Sequence, residues 1–346
     1  MTPCKNVFAI SDMSKPTIRE VASRARVSIS VASNALNRKG RVSEETRQRV
    51  EEAARAIGYV PSYAARRLRG ASRAIGVLVM PFFEELLPVR YFSEPLYVLM
   101  QAAAEADYKL YYIHLSDDEL SEEALQHIMR DGAIDGLVVM APDPAQFELL
   151  ANVLSDMPYV LFGAAPRREG VNYVDSDGCG GAMAATRHLL ELGHTHVSYL
   201  MPGYGNYNAR DRLRGYSAVM EEAGLAPTVY ELADYKSPLP MDEMVNDGTT
   251  AVVAFDDFYA ARVIGELQRL GLRVPQDVAV IGFDDEAFGR WMYPRLTTLR
   301  QPLTKMGAVA AEYLIQRLEA EEEIPLCREV LPVELVVRES CGAALE

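Results

Sequence analysis

Four side chains close to the amino terminus have the types and the spacing to contact the major groove of DNA. Ser30, Ser33 and Asn34 carry hydrogen-bonding groups, Ile29 carries an apolar one, and Ser28 just before them is a typical helix N-cap. The apolar pattern places the four near the start of a short helix and on its outward face. The inward face carries small or aliphatic residues, namely Val31, Ala32, Ala35 and Leu36. A helix with such a polar first turn has the form of a recognition helix.

A second short helix comes before it and is predicted to position it. Thr17 is an N-cap residue, and Glu20, three positions later, completes a capping box. Apolar residues then recur at helical spacing until the pattern breaks at 26–27, and these residues are Ile18, Val21, Ala22 and Ala25. Residues 42–59 predict a third helix, which Ser43 caps. Two short helices joined by a tight turn are typical of a helix-turn-helix.

The charge of the chain is unevenly distributed. The whole sequence of 346 residues has a net charge of -14, which taken alone argues against a nucleic-acid-binding protein. However, residues 15–73 contain 14 Lys/Arg and 5 Glu, a net charge of +9, whereas residues 74–346 have a net charge of -23. A basic segment attracts phosphates and an acidic body repels them, so we expect DNA contact at one end of the molecule.

Strands alternate with helices after residue 70. The strand-like runs are IGVLV (75–79), YKLYYI (108–113), GLVVM (136–140), PYVLF (158–162), VSYLM (197–201), TAVVAF (250–255) and VAVIGF (278–283). The helical runs between them include LSEEALQHIMRDG, DGCGGAMAATRHLLELG, ARDRLRGYSAVMEEAG and FYAARVIGELQRLG. This alternation predicts an α/β fold of parallel sheets covered on both faces, with ligands bound beyond the carboxyl ends of the strands.

The remaining composition indicates a cytoplasmic protein that needs no cofactor. The four cysteines are far apart and form no C-x-x-C pair, which favours free thiols in a reducing compartment. The longest apolar run is too short to span a bilayer, and residues 1–14 lack the apolar core of a signal peptide. We therefore expect no membrane partner, no metal site and no cofactor.

A series of motifs resembles the LacI/GalR family of bacterial transcriptional regulators. In chain order they are TIREVA, VS, SNALN, VSEETR, IGYVPS, AARRLRG, IGVLV, LLELGH, RLRGY, GLRVPQDVAVIGFDD and PRLTTLRQP. They extend over nearly the whole chain. The resemblance implies an N-terminal all-α helix-turn-helix domain plus a periplasmic-binding-protein-like core of two doubly wound α/β subdomains.

The resemblance also implies domain boundaries. They are an N-terminal extension at 1–14, the helix-turn-helix domain at 15–60, a hinge helix and linker at 61–72, and an effector-binding and dimerisation core at 73–346. Within the core, the N-subdomain is expected at about 73–174 and 303–330, and the C-subdomain at about 175–302 and 331–346.

By resemblance, several residues are expected to contact operator DNA. Ile29, Ser30 and Asn34 match the positions that read base edges, where Asn can bond adenine in a bidentate way and Ile can pack on a thymine methyl group. The full set of expected DNA contacts is Thr17, Ser28, Ile29, Ser30, Ser33, Asn34 and Leu68. Leu68 is the expected wedge of the hinge helix, which enters the minor groove and bends the duplex. The plainer alternatives are contacts to phosphates or water, and a basic linker instead of a hinge helix.

The effector site is also carried over from the family. Arg212 matches the arginine that clamps the ligand, and Asp256, Asp257, Asp284 and Gln301 follow strands or lie at a crossing between the subdomains. Carboxylates accept hydrogen bonds from sugar hydroxyls and arginine donates them, so the set suits a polyol. Plainer roles stay open: Asp257 as a helix cap, and Asp284 with its neighbour as a turn.

The chain departs from the usual family pattern at four positions. Arg26 replaces a glycine in the turn of the helix-turn-helix, where the backbone favours a positive φ, and Ala32 replaces a valine. Gly163 stands where some sugar-responsive members have a polar side chain. Asp256 replaces an asparagine, and its added negative charge also admits a cationic or metal-bridged ligand.

Taken together, the sequence predicts a homodimeric repressor that binds a palindromic operator under the control of a small-molecule effector, expected to be a sugar or sugar derivative. Two other functions are compatible with parts of this pattern. A solute-binding receptor on the same two-lobed core is disfavoured by the basic amino-terminal segment. An enzyme is disfavoured because no nucleophile motif, metal pair or phosphate-binding loop is found.

Overall fold

The computed structural model describes residues 16–36, 42–57, 59, 72–79, 90–115, 119–130, 132–154, 157–166, 168–203 and 205–343. The chain divides into two compact units, residues 1–71 and residues 72–346. The predicted hinge helix, including Leu68, lies outside the described residues.

The described residues of the amino-terminal unit form three helices around a small core. Its helices are α1 (Ile18–Ala25), α2 (Ile29–Leu36) and α3 (Glu44–Ala56). The buried side chains of the core are Val21, Ala22, Ala25, Ala32, Ala35, Val50, Ala53, Ala54 and Tyr59. Alanine dominates this list, and such small side chains let the three helices pack closely.

The capping interactions predicted for this unit are present. The backbone N–H of Thr17 donates to Glu20 Oε2 at 2.6 Å, and the N–H of Glu20 donates back to Thr17 Oγ1 at 3.4 Å, which completes the capping box. Ser43 caps α3 by accepting the N–H of Thr46 at 3.3 Å. Arg26, between α1 and α2, has φ +55°. The left-handed conformation that favours glycine is therefore imposed on an arginine here, at a cost of roughly 1 kcal/mol.

The second unit has two α/β lobes, and its fold class is the one predicted. The first lobe contains a six-stranded parallel sheet in the order β11-β5-β4-β3-β1-β2. Its strands are β1 (Ala74–Val79), β2 (Lys109–Ile113), β3 (Gly136–Met140), β4 (Tyr159–Phe162), β5 (Tyr173–Ser176) and β11 (Arg328–Leu331). The helices of this lobe are α4 (Arg90–Glu105), α5 (Glu122–Arg130), α6 (Pro144–Leu154) and α11 (Leu303–Glu319).

The second lobe contains a four-stranded parallel sheet in the order β7-β6-β8-β9. Its strands are β6 (Val197–Pro202), β7 (Thr228–Leu232), β8 (Ala251–Ala254) and β9 (Ala279–Ile281). The helices are α7 (Gly178–Glu191), α8 (Tyr207–Glu222), α9 (Met241–Asn246) and α10 (Asp257–Arg269). An antiparallel pair, β10 (Thr298–Arg300) and β12 (Glu334–Val336), packs against the same core.

The chain passes between the lobes three times. The passages follow β5, β10 and β11, at residues 176–177, 301–302 and 332–333. Because the sheets are parallel, the carboxyl ends of the strands of each lobe lie at one edge of its sheet, and polar residues that follow those strands gather there.

The helices α7 and α8 pack closely through a glycine. A Cβ added to Gly215 would lie 2.2 Å from the carbonyl oxygen of Cys179. The backbones of the two helices therefore lie so close together that no side chain fits at position 215.

Substitution of Gly215 by alanine should lower the free energy of unfolding by about 1–3 kcal/mol, because the helices must separate. Urea-induced unfolding of the full-length protein, followed by circular dichroism, measures this change. Gly265→Ala in α10 is the matched control, since its new Cβ would meet nothing within 4 Å. The control should leave stability unchanged or raise it by up to about 1 kcal/mol. Equal effects of the two substitutions would contradict the close contact.

Candidate functional site

The residues predicted to contact DNA in the amino-terminal unit are mostly exposed. Ser28, Ile29, Ser30 and Asn34 are exposed, with 48% of Ile29 accessible, and Ser33 is half-buried. Ser28 Oγ accepts the backbone N–H of Val31 at 3.2 Å, so this side chain caps α2. The exposed residues form one accessible surface at the start of α2, where backbone N–H groups and the helix dipole favour phosphate.

Thr17 is exposed at the start of α1, but its side chain is occupied locally. Its hydroxyl accepts the N–H of Glu20 and lies 3.2 Å from Glu20 Oε2. The residue therefore organises the helix, and any contact with DNA has to share the same hydroxyl group.

A cleft lies between the lobes of the second unit. It is lined by Tyr91, Phe92, Ala141, Pro142, Gly163, Asn206, Tyr207, Asn208, Arg212, Tyr235, Phe255, Asp256, Phe258 and Asp284. Most of these residues follow β3, β4, β6, β7, β8 and β9, or begin α4 and α8. The cleft therefore lies beyond the carboxyl ends of the strands, as the sequence predicts.

Arg212 is the buried cation of the cleft, with 3% of its surface exposed. Its Nη1 donates to the carbonyl oxygen of Phe255, and its Nη2 lies 3.7 Å from Asp284 Oδ1. The guanidinium carbon lies 3.5 Å from the ring centroid of Phe283 and 4.5 Å from that of Phe255. Among its contacts in the described part of the chain, Nε has no hydrogen-bond partner. Aromatic rings and a carbonyl thus fix the guanidinium while one donor stays unsatisfied.

Asp284 faces Arg212 and is oriented by Gln301. Gln301 Nε2 donates to Asp284 Oδ1 at 2.6 Å, and Ser176 Oγ donates to Gln301 Oε1 at 2.6 Å. Burial raises the pKa of Asp284 to about 7, against the lowering effect of Arg212. Gln301 itself does not line the cleft; the structure places it behind Asp284, where it joins two of the passages between the lobes.

Asp256 lines the cleft and caps α10. Its Oδ1 accepts the N–H of Tyr259 at 2.8 Å, and its Oδ2 accepts the hydroxyl of Tyr235. The ring of Tyr235 stacks on that of Tyr259, with centroids 4.6 Å apart. Burial raises the pKa of Asp256, and the hydrogen bond from Tyr235 partly offsets this rise. The helix cap suggested as a plainer role for Asp257 therefore belongs to the preceding residue.

Asp257 is placed away from the cleft. It is 0% exposed, its Oδ1 accepts the Thr298 hydroxyl at 2.5 Å, and its Oδ2 accepts the Glu286 N–H at 2.6 Å. Burial raises its pKa well above the usual value. In this structure the residue holds the loop after β9 instead of facing a ligand. The sequence pattern places Asp257 correctly after a strand, but it cannot show which way the side chain turns.

Tyr91, Asn208 and Gly163 form a polar corner of the cleft that the sequence does not reveal. The hydroxyl of Tyr91 lies 3.4 Å from the carbonyl oxygen of Gly163, and Asn208 Nδ2 donates to the same carbonyl at 3.2 Å. A Cβ on Gly163 would lie 1.8 Å from the Tyr91 hydroxyl. Glycine at position 163, where some family members have a polar side chain, thus leaves space for the hydroxyl of Tyr91 from α4. Burial raises the pKa of Tyr91, so its hydroxyl stays protonated.

This arrangement suits the binding of a polar ligand. Carboxylates, amides, hydroxyls and one guanidinium line the walls with aromatic rings between them, as in other small-molecule sites. Within the described ranges, no group of three or more His, Cys, Asp or Glu could hold a metal ion. No described helix is long and apolar enough to cross a membrane.

Comparisons with known proteins match both units. Residues 17–62 match the model for bacterial regulatory proteins of the lacI family, and residues 186–341 match a periplasmic binding protein-like domain. The HTH-type transcriptional repressor PurR of Aliivibrio fischeri (strain ATCC 700601 / ES114) is 29% identical over 95% of this chain and 99% of its own length. PurR of Haemophilus influenzae (strain PittEE) is 28% identical over 95% of this chain and 99% of its own.

Solved structures agree on the fold. A complex of the transcriptional regulator CelR with cellobiose has a TM-score of 0.70 and 27% identity, and covers 94% of this chain and all of its own. A lac repressor dimer bound to operator and the anti-inducer ONPF has a TM-score of 0.68 and 23% identity, over 95% of this chain and all of its own. The second likeness is below 25% identity and supports the fold alone.

The raised pKa of Asp284 predicts a pH dependence of stability. An aspartate whose pKa is raised on folding binds more protons in the native state, so it costs stability as pH rises from about 4 to about 7. Asp284→Asn removes this cost and keeps an oxygen for Gln301. Between pH 5 and pH 8, the variant should therefore gain on the order of 2 kcal/mol relative to wild type. Urea unfolding at the two pH values measures the difference.

Asp242→Asn, an exposed carboxylate of the same lobe, is the control and should keep the wild-type pH dependence. If Asp284→Asn also keeps the wild-type pH dependence, folding does not raise the pKa of Asp284.

Proposed function

The chain belongs to the LacI/GalR family of bacterial transcriptional regulators, and from this premise we propose that it represses transcription as a homodimer on a palindromic operator under the control of a cleft-bound effector. As a member, it is a DNA-binding transcriptional repressor and not an enzyme. The two-lobed receptor without a DNA-binding unit is excluded by the match over residues 17–62.

The observation that carries the proposal is the polar face at the start of α2. Asn34, Ser30 and Ile29 are exposed together on the helix that a helix-turn-helix inserts into the major groove. We assign Asn34 to an adenine and the other two to neighbouring base edges. By resemblance, Leu68 supplies the minor-groove wedge at the centre of the operator.

Two copies are needed because each unit reads only one half-site. Exposed apolar side chains of the first lobe support a dimer: Tyr97 and Met100 on α4, and Tyr111 and Tyr112 on the edge strand β2, are each about half exposed or more. These exposed side chains lie on two elements of the same lobe, and contact with a second copy would cover part of their apolar surface. Two-fold symmetry of the dimer then requires an inverted repeat in the DNA.

For the effector, the cleft favours a small polyhydroxylated molecule with an apolar face. Asp256 and Asp284 accept hydrogen bonds from hydroxyl groups, and Arg212 and Asn208 donate them. Phe92 and Phe258 supply the apolar walls. A sugar or sugar derivative has this chemistry, and the cellobiose complex of CelR is a structural precedent on the same fold. The second acid at Asp256 extends the range to sugars that carry an amine.

Asn34→Ala should reduce affinity for the operator by roughly 10- to 100-fold, which corresponds to one lost bidentate base contact. Affinity for random DNA should stay unchanged, because that affinity comes from phosphate contacts. The measurement is fluorescence anisotropy with an inverted repeat selected from a random library by the full-length protein.

Gln48→Ala is the matched control, an exposed amide on α3 rather than α2. If Gln48→Ala lowers the affinity for the operator and Asn34→Ala does not, the recognition surface lies on α3 instead of α2.

Arg212→Ala should abolish the effector response and leave operator binding intact. The substitution removes the buried cation that faces Asp284, while the amino-terminal unit is unchanged. Thermal-shift screening against sugars and amino sugars identifies a ligand, and titration of that ligand against a protein–operator complex measures the response.

Arg214→Ala on the same helix is the control, since that guanidinium is exposed and pairs with Asp211 at 2.8 Å. A normal response in Arg212→Ala would place the effector outside the cleft.

A further inference from the structure

We propose that Glu286 and Arg90 form an interlobe clasp, in which a carboxylate of the second lobe caps helix α4 of the first lobe and thereby ties closure of the lobes to the loop that faces the effector. The clasp consists of Arg90, Glu94, Asp285 and Glu286. It goes beyond the proposed function, which requires a cleft but does not say what holds the lobes together.

The first observation is a helix cap supplied from the other lobe. Glu286 Oε1 accepts the backbone N–H of Arg90 at 2.9 Å and also bonds the N–H of Tyr91. These N–H groups begin α4, and the first turn of α4 has no acidic side chain of its own. The early N–H groups of a helix need an acceptor, and a carboxylate also complements the positive end of the dipole. Glu286 meets both needs from 196 residues away in sequence.

The second observation is that the side chain of Arg90 contacts the same loop of the second lobe. Its Nη1 donates to the carbonyl oxygen of Asp285 at 2.5 Å and lies 3.9 Å from the carboxylate of the same residue. Its Nε and Nη2 donate to Glu94 Oε2 at 3.0 and 2.7 Å, and Glu94 Oε1 accepts the hydroxyl of Thr304 at 2.5 Å. Thr304 begins α11 just after a passage between the lobes. The guanidinium therefore joins the loop of one lobe to two helices of the other.

The third observation is that the second-lobe side of the clasp is fixed in place. Glu286 is 5% exposed, and its own N–H donates to buried Asp257. Asp285 is held by Arg290, Arg300 and Arg338. Because Asp285 and Glu286 are held within the second lobe, their loop cannot follow the first lobe. Separation of the lobes must therefore break the contacts with Arg90.

The fourth observation is the position of the clasp beside the cleft. Asp284, which faces Arg212, comes two residues before Glu286, and Tyr91, which lines the opposite wall, follows Arg90. A ligand that draws these two walls together also draws the two halves of the clasp together. Without the clasp, the lobes would separate more often and the cleft would lose its pre-formed geometry.

The test is hydrogen–deuterium exchange of the full-length protein without effector or operator, read by mass spectrometry. Glu286→Ala should raise the exchange rate in peptides that span the first turn of α4 roughly tenfold, as expected for a lost charge-assisted hydrogen bond. Glu286→Gln keeps an acceptor oxygen and should give a smaller increase. Glu339→Ala, which breaks an ion pair with Arg295 inside the second lobe, should leave these peptides unchanged.

Arg90→Ala tests the same contacts by a substitution in the first lobe. It keeps the proposal testable if Glu286→Ala unfolds the second lobe. It should raise exchange in the peptide spanning residues 283–290, although the substituted side chain belongs to the first lobe. Exchange at the wild-type rate in that peptide, or equal effects of Glu286→Ala and Glu339→Ala on α4, would overturn the clasp. Because no ligand or DNA is involved, that result would leave the proposed function standing.

Discussion

A buried carboxylate held by three arginines is the interaction on which the effector-binding core depends. Asp285 is fully buried and bonds Arg290, Arg300 and Arg338. Burial by itself would raise its pKa, but the hydrogen bonds from the three guanidinium groups outweigh burial, and the net pKa is lowered. Loss of this carboxylate would leave several arginines without their shared partner, at a cost of about 3–5 kcal/mol for breaking a buried pair. The loop after β9 is therefore among the least adjustable parts of the core.

The fixed position of Asp285 gives its two neighbours separate roles. Asp284 and Asp285 have φ values of 112° and 55°, which cost non-glycine residues of order 1–3 kcal/mol each and persist only where the surroundings hold them. This unusual backbone turns Asp284 into the cleft and Glu286 toward the opposite lobe. One loop thus contacts the proposed effector site and the helix of the other lobe. A local change at Asp284 can reach α4 without a long chain of intermediate residues.

Much of the fold could be predicted from the sequence, whereas side-chain direction could not. The capping box at Thr17, the positive φ expected near Arg26 and the alternation of strands and helices depend on local patterns, and all three are confirmed. The strands β5, β7, β10 and β11 are absent from the predicted set because polar or charged residues interrupt the apolar run of each. At the site, the expected acids lie near one another, but only contacts made in three dimensions decide that Asp257 supports the loop while Asp256 faces the cleft. The pairing of Gly163 with Tyr91 joins residues 72 positions apart, and no local signal marks it.

The central claim is that binding of an effector in the cleft changes the affinity of the protein for its operator. The most direct measurement is the affinity of the full-length protein for its selected inverted repeat, with and without a saturating sugar that raises the melting temperature of the core. The account predicts a change of about 5- to 150-fold in the dissociation constant, in either direction, the usual size of allosteric coupling. Equal affinities in the two states, with the sugar shown to be bound, would contradict it.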